Sequence, residues 1–244
     1  MRSDGRAFDA LRPVTIQRHF TENPGGSVLI NVGRTMVLCT AMLEEGVPSF
    51  LLNSGRGWLT AEYSMLPGST QQRKTRDLHR VQADGRSVEI QRLIGRSLRA
   101  VTDLTAWVSH TLWVDCDVLQ AHGGTRTAAI TGAYVAMWDA FKQAEHRGLL
   151  KKWPLLSSVA AVSVGIVQGE LVLDLDAVED AQADVDMNIV LTGNGDFVEV
   201  QGTAEKGAFD AAALQKMLAL ARTGIEQLTT RQREALCDNP AMSP

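Results

Sequence analysis

Residues 112–127 read Leu-Trp-Val-Asp-Cys-Asp-Val-Leu-Gln-Ala-His-Gly-Gly-Thr-Arg-Thr, and an alanine-rich stretch to about Arg147 follows them. Leu112 to Leu119 has the alternation of a strand, and the residues after Thr125 have helical spacing. A strand therefore enters a glycine turn and a helix leaves it. The two glycines, Gly123 and Gly124, let backbone approach a ligand closely. Unpaired N–H groups of the first helical turn, with the hydroxyl of Thr125 or Thr127, suit an anion. Arg126 adds a planar fork for phosphate oxygens. The Gly-Lys-Ser/Thr ending of a P-loop is absent, and so is a dinucleotide fingerprint. The same residues equally suit a plain glycine turn with a capping threonine and a surface arginine.

Working outward, Val14 to Arg18, Ser27 to Val32, Thr35 to Leu43 and Gly57 to Met65 are strand-like runs separated by Pro24-Gly25-Gly26 and Gly33-Arg34. Arg86 to Leu104 switches to helical spacing, with Leu93, Ile94, Leu98, Val101 and Leu104 on one face and Ser87 as its expected cap. Gly148 suits the end of the second helix. Strand candidates then return at Val159 to Ile166, Glu170 to Leu175, Asp184 to Thr192 and Phe197 to Thr203, with Gly193-Asn194-Gly195-Asp196 as a hairpin turn. A long amphipathic helix is expected from about Phe209 to Leu228. This order predicts an α+β fold: a single domain over residues 1–236, two strand-rich layers with helices between and beside them. Residues 237–244 are expected to form a loosely ordered tail.

The 244 residues are 45% apolar and 21% charged, as in ordinary globular chains. No apolar run approaches a membrane span, and Met1 to Arg6 lacks the apolar stretch of a secretory signal. Cytoplasm is the expected address, with no membrane partner. Cys39, Cys116 and Cys237 form no C-x-x-C pair, so neither a zinc site nor a disulfide framework is indicated. Net charge is −4, yet Arg73 to Arg99 holds eight basic residues against three acids, or +5, which leaves −9 for the rest. A basic stretch on an acidic body suits a phosphate-tracking surface, though it also suits a solvated helix face.

A second constellation runs from Val178 to Asn188. Asp184, Asp186 and Asn188 alternate onto one strand face, and Asp180 can fold back to meet Asp186. Crowded carboxylates hold Mg²⁺ or retain a proton for acid catalysis; taken by itself, such a run is more often an acidic turn on a polar sheet face. Asp115 and Asp117 also share a strand face, so they can line the same pocket or anchor structure. The five histidines are scattered, and no G-x-S-x-G or H-E-x-x-H occurs, which disfavours serine hydrolases and zinc proteases.

Several segments together resemble the ribonuclease PH family, which includes polynucleotide phosphorylase and exosome ring subunits. They are Arg2 to Arg6 (RSDGR), Gly57 to Pro67 (GWLTAEYSMLP), Glu89 to Arg96 (EIQRLIGR), Asp115 to Val118, Gly123 to Ala128 and Asp186 to Asn188. The resemblance runs from Arg2 to about Leu228. It implies a phosphorolytic 3′-to-5′ exoribonuclease that trims transfer RNA precursors with inorganic phosphate as co-substrate, releases nucleoside diphosphates, and can add nucleotides in reverse. Phosphate binding is implied for Arg86, Gly124, Thr125 and Arg126, and a catalytic, Mg²⁺-holding pair for Asp180 and Asp186. Arg73 and Arg76 match positions that hold transfer RNA, and Arg92, Arg96 and Arg99 are placed with RNA or with subunit contacts. A homo-hexamer, a trimer of dimers, is implied as well. Three positions depart from the family pattern: His122 stands for an aspartate, Gly68 for an arginine and Asp184 for a glutamate. The alternative is a catalytically silent RNA-binding ring subunit, which is expected to lack phosphate ligands or carboxylates. A hydrolytic nuclease would need no such cradle.

Overall fold

The computed structural model describes residues 2, 4–76 and 85–237. The expected tail lies outside them except for Cys237, as do Asp77, Arg80 and Asp84 of the basic stretch. Among the described residues, nine strands form two sheets. The first joins β1 (Val14–Arg18), β2 (Gly26–Val32), β3 (Thr35–Glu45), β4 (Trp58–Met65) and β5 (His110–Gln120) in the order β1-β2-β3-β5-β4. All its pairs are antiparallel except β4 with β5. That parallel pair needs a crossover, which α1 (Gly85–Ala100) supplies. The second sheet joins β6 (Val159–Val167), β7 (Glu170–Leu173), β8 (Val185–Thr192) and β9 (Phe197–Ala204) as an antiparallel β7-β6-β8-β9.

Helix α2 (Thr125–His146) lies between the sheets. It is buried on almost every side, which is why its sequence is alanine-rich and shows no clear apolar stripe. Its residues Ala129, Ala133 and Met137 share one core with Ile30, Cys39 and Val118 of the first sheet and with Val159 and Ala161 of β6. The alternate residues of β6, Ala160, Val162 and Val164, face the opposite way. They form a second core with Met217, Ala221, Ile225 and Leu228 of α4 (Ala211–Cys237). The layers therefore run sheet, helices, sheet, helix, in agreement with the expected α+β arrangement. Arg18 clamps the end of this stack. Its Nε donates to Asp139 of α2 at 3.0 Å, and Nη1 donates to the Ala235 carbonyl of α4.

The ends of the first and last helices depart most from the expected ones. The first helix ends at Ala100 rather than Leu104, because Thr102 bridges to Leu155 and Asp103 accepts from the Thr105 amide in a local turn. Ser87 is not its cap but lies buried inside the first turn. The last helix continues to Cys237, held by Gln232, whose Nε2 donates to the carbonyls of Thr131 and Val159. Among the described residues, no helix is long and apolar enough to cross a membrane.

Candidate active site

The glycine turn predicted from sequence is built as a helix start. Gly124 caps α2 in the left-handed conformation (φ 66°), and Gly123 before it is also left-handed (φ 82°). A Cβ on Gly123 would lie 2.6 Å from the backbone of Asp176, so only glycine lets this turn touch the segment between β7 and α3 (Ala177–Gln182). The turn is pinned from below. Thr35 Oγ1 donates to the Gly123 carbonyl at 2.7 Å and accepts from the His122 amide at 3.0 Å, while Arg12 Nη1 donates to the His122 carbonyl at 2.7 Å. Thus His122 serves through its backbone; its ring lies 3.4 Å from Arg34 at the surface.

The acidic run does not remain a turn. Asp176 caps a six-residue helix, α3, in a reciprocal capping box with Glu179, so Asp180 sits on that helix beside the start of β8. Burial is the main influence raising the Asp180 carboxyl above its ordinary value, although this residue reaches the surface. The charge of Asp186 adds to the rise, Arg86 and Arg126 oppose it, and Glu205 adds a little. One carboxyl therefore feels both arginines and its sister aspartate. Arg86, in the first turn of α1, and Arg126, in the first turn of α2, converge with Asp180 and Asp186 where two helix N-termini meet the second sheet. Asp184 is turned elsewhere and accepts from Lys206 Nζ at 3.3 Å.

Three further residues join the site that sequence reasoning gave no role there. Tyr63 is buried on β4, with its hydroxyl 2.8 Å from Thr125 Oγ1. Burial raises its phenol above the ordinary value, while the Thr125 bond and the charges of Arg86 and Arg126 pull the other way. Gln201 on β9 and Glu89 on α1 both accept from Arg126. Only Tyr63 and Glu89 lie in segments carrying the family resemblance, and no local pattern marks any of the three.

Asp115 and Asp117 do not line this site. Val114, Cys116 and Val118 face the helices, so the aspartates point to the opposite face of the first sheet, as strand alternation requires. There burial, then Glu62, Asp117 and Glu44, push the Asp115 carboxyl up to about 6. The folded chain keeps a proton that an unfolded aspartate releases near 3.8, so stability falls as pH rises from about 4 to about 6. Asp115→Asn removes that loss. Allowing for solvent screening of this half-exposed group, the gain is about 1 kcal/mol, or roughly 2–4 °C in melting temperature at pH 8, and none at pH 4. Melting curves of the two proteins at both pH values check it.

The other predicted arginines lie outside this cluster. Arg73 and Arg76 stand exposed after β4. Arg99 stacks over Trp58 at 4.9 Å and donates to the Leu59 carbonyl, and Arg96 pairs with Glu199 at 3.1 Å. Arg92 is exposed and has no partner among the described residues. In the same described residues, no three His, Cys, Asp or Glu side chains gather as a metal cage. Two adjacent carboxylates nevertheless fit Mg²⁺, a hard ion that takes one or two carboxylates and keeps its remaining waters.

Residues 10–143 match the sequence model of the 3′ exoribonuclease family, domain 1, and residues 157–224 match domain 2. A curated relative from Syntrophomonas wolfei, ribonuclease PH, is 54% identical over 235 residues, covering 96% of this chain and 98% of its own. Among solved structures, rice Rrp46 superposes with a TM-score of 0.77 at 19% identity, over 96% of this chain and all of that one. A chain of the Archaeoglobus fulgidus exosome with RNA bound to the active site gives 0.77 at 22% identity, over 94% and 92%. The structural likenesses carry the fold alone; the sequence matches carry more, and by them the chain belongs to the 3′ exoribonuclease family of ribonuclease PH.

Proposed function

We propose that this chain is a phosphorolytic 3′-to-5′ exoribonuclease trimming transfer RNA precursors in the cytoplasm. The observation that carries the reading is the convergence of Arg86 and Arg126 on Asp180 and Asp186 at the glycine-capped start of α2. Inorganic phosphate is an anion that must approach an anionic phosphodiester. Two guanidinium groups, the Thr125 hydroxyl and the α2 N-terminus offset that repulsion and fix the nucleophile in line. A phosphate oxygen then bonds to the terminal phosphorus, and the bond from that phosphorus to the neighbouring 3′ oxygen breaks. The proton of the attacking hydrogen phosphate ends on the 3′ oxygen, and the last nucleotide leaves as its diphosphate. Mg²⁺, when held by Asp180 and Asp186, supplies charge stabilisation at the leaving oxygen. A hydrolase has no need of the arginine cradle, and a silent ring subunit has no need of the carboxylates; this chain carries both.

Residues 1–236 act as one unit in this reading, since the arginines come from the first half and the aspartates from the second. Exposed Arg73, Arg76 and Arg92 are placed to meet RNA phosphates, whereas Arg96 and Arg99 already hold partners within the chain. A hexamer of three dimers is proposed as the working assembly, in keeping with the exosome chains among the structural neighbours. The exposed Trp113 and Met42 on the uncovered face of the first sheet also favour association. Light scattering should give six times the 26.5 kDa chain mass.

The reverse reaction tests the function. With excess ADP and Mg²⁺, the protein should lengthen an RNA 3′ end and release inorganic phosphate, which a hydrolase cannot do. Tyr63→Phe bears on the cradle itself. Loss of the hydroxyl that orients Thr125 should slow phosphorolysis on the order of fivefold and cost about 1 kcal/mol of stability. Steady-state rates and melting curves measure both.

A further inference from the structure

Arg126 is held on one side only. Its Nη1 donates to Gln201 Oε1 at 2.8 Å and, more loosely, to Glu89 Oε1 at 3.4 Å, while Gln201 Nε2 donates to the same Glu89 oxygen at 3.2 Å. The three groups close a triangle that fixes the glutamine amide, oxygen toward the guanidinium and nitrogen toward the carboxylate. Nε and Nη2 of Arg126 carry no bond among the described residues, so they remain for a phosphate. The triangle also joins the two halves of the site. Gln201 pairs across β9 and β8 with Asn188, two residues from Asp186. Glu89 lies one helical turn after Arg86, on the same face of α1.

We infer that Gln201 and Glu89 are positioning residues with opposite effects on phosphate. Gln201 aims the Arg126 guanidinium at the space above Asp180 and Asp186. Glu89 anchors Gln201, and its charge lowers the positive potential of Arg86 and Arg126, holding phosphate affinity below what two bare arginines give. The diphosphate product, which leaves from the same arginines, is released more readily for it. The inference rests on the proposed phosphate site. A strut that served stability alone would shift both variants the same way.

The test is a titration of inorganic phosphate at saturating RNA. Gln201→Leu, close in volume and unable to hold the guanidinium, should raise KM for phosphate about tenfold, with kcat falling less than threefold. Glu89→Gln keeps the hydrogen-bonding shape and loses the charge. Its KM for phosphate should fall about threefold, with ADP inhibiting more strongly, the scale of a half-exposed charge. Should Gln201→Leu fail to fold, Glu89→Gln decides alone. A Gln201→Leu phosphate KM within twofold of the parent, or a Glu89→Gln KM that rises, overturns the inference. Arg126→Ala separates the two levels. If it leaves the phosphate KM unchanged, the phosphate site itself is wrong; if it raises KM while the other two variants do not move, only the positioning role fails.

Discussion

Arg126→Ala lowers phosphorolysis on the order of a hundredfold or more and leaves the protein folded. Removal of one preorganised donor from a site where charge develops commonly costs two to three powers of ten. Arg126 is such a donor, since its side chain is only 16% exposed and Gln201 holds it in place before phosphate arrives. The fold survives because the groups left behind tolerate the change: Glu89 is 42% exposed, and Gln201 keeps its bond to Glu89. Asp186→Ala belongs with it, with a loss of the same order that added Mg²⁺ does not restore. The checks are turnover over a range of phosphate concentrations and a melting curve for each variant. A near-normal Asp186→Ala would remove the aspartates from the chemistry.

Arg12→Ala acts through stability instead. Arg12 and Asp174 are both buried, joined by Nη2 to Oδ1 at 2.6 Å and Nε to Oδ2 at 2.9 Å. Loss of Arg12 leaves the buried Asp174 with Arg6, at 3.4 Å, as its remaining cation, which costs about 3 kcal/mol. For a chain of this size that lowers the melting temperature by roughly 10 °C. The Gly123 turn loses its support as well, so activity falls further than the melting temperature alone explains, even well below the transition. Denaturant unfolding measures the first effect, and rates at low temperature measure the second. The double change Arg12→Ala with Asp174→Ala should cost less than the two singles added, because the stranded charge is gone.

The strands were legible because alternation and turn residues both mark them; Val14–Arg18 falls where expected, and the others within two residues at each end. The helix ends were not, for a reason specific to each. Val101 and Leu104 keep helical spacing, but they reach the core from turns after Ala100. The apolar stripe of the last helix fades after Leu228, and what prolongs it is Gln232 bonding to α2 and β6, a contact with no local signal. A six-residue helix such as α3 is too short to show a period, so Glu179 and Asp180 read as part of an acidic turn.

In the candidate site, the glycine turn and the carboxylate run could be found because neighbours in sequence make them. Tyr63, Glu89 and Gln201 could not, since each acts through a residue at least 37 positions away. The arginines of the N-terminal segment belong to the same class. Arg2 pairs with Glu179 at 2.7 Å and Arg12 with Asp174, fastening the first residues to the acidic segment. The place of Arg2 in a resemblance was visible from sequence; the task of either arginine was not.

One measurement bears most directly on phosphorolysis. A transfer RNA precursor with extra 3′ nucleotides is incubated with the protein and Mg²⁺, with and without inorganic phosphate, and the released nucleotides are identified. Nucleoside diphosphates that appear only with phosphate are the result expected here. Monophosphates released without phosphate would contradict it, and so would no release from a folded protein that binds the RNA.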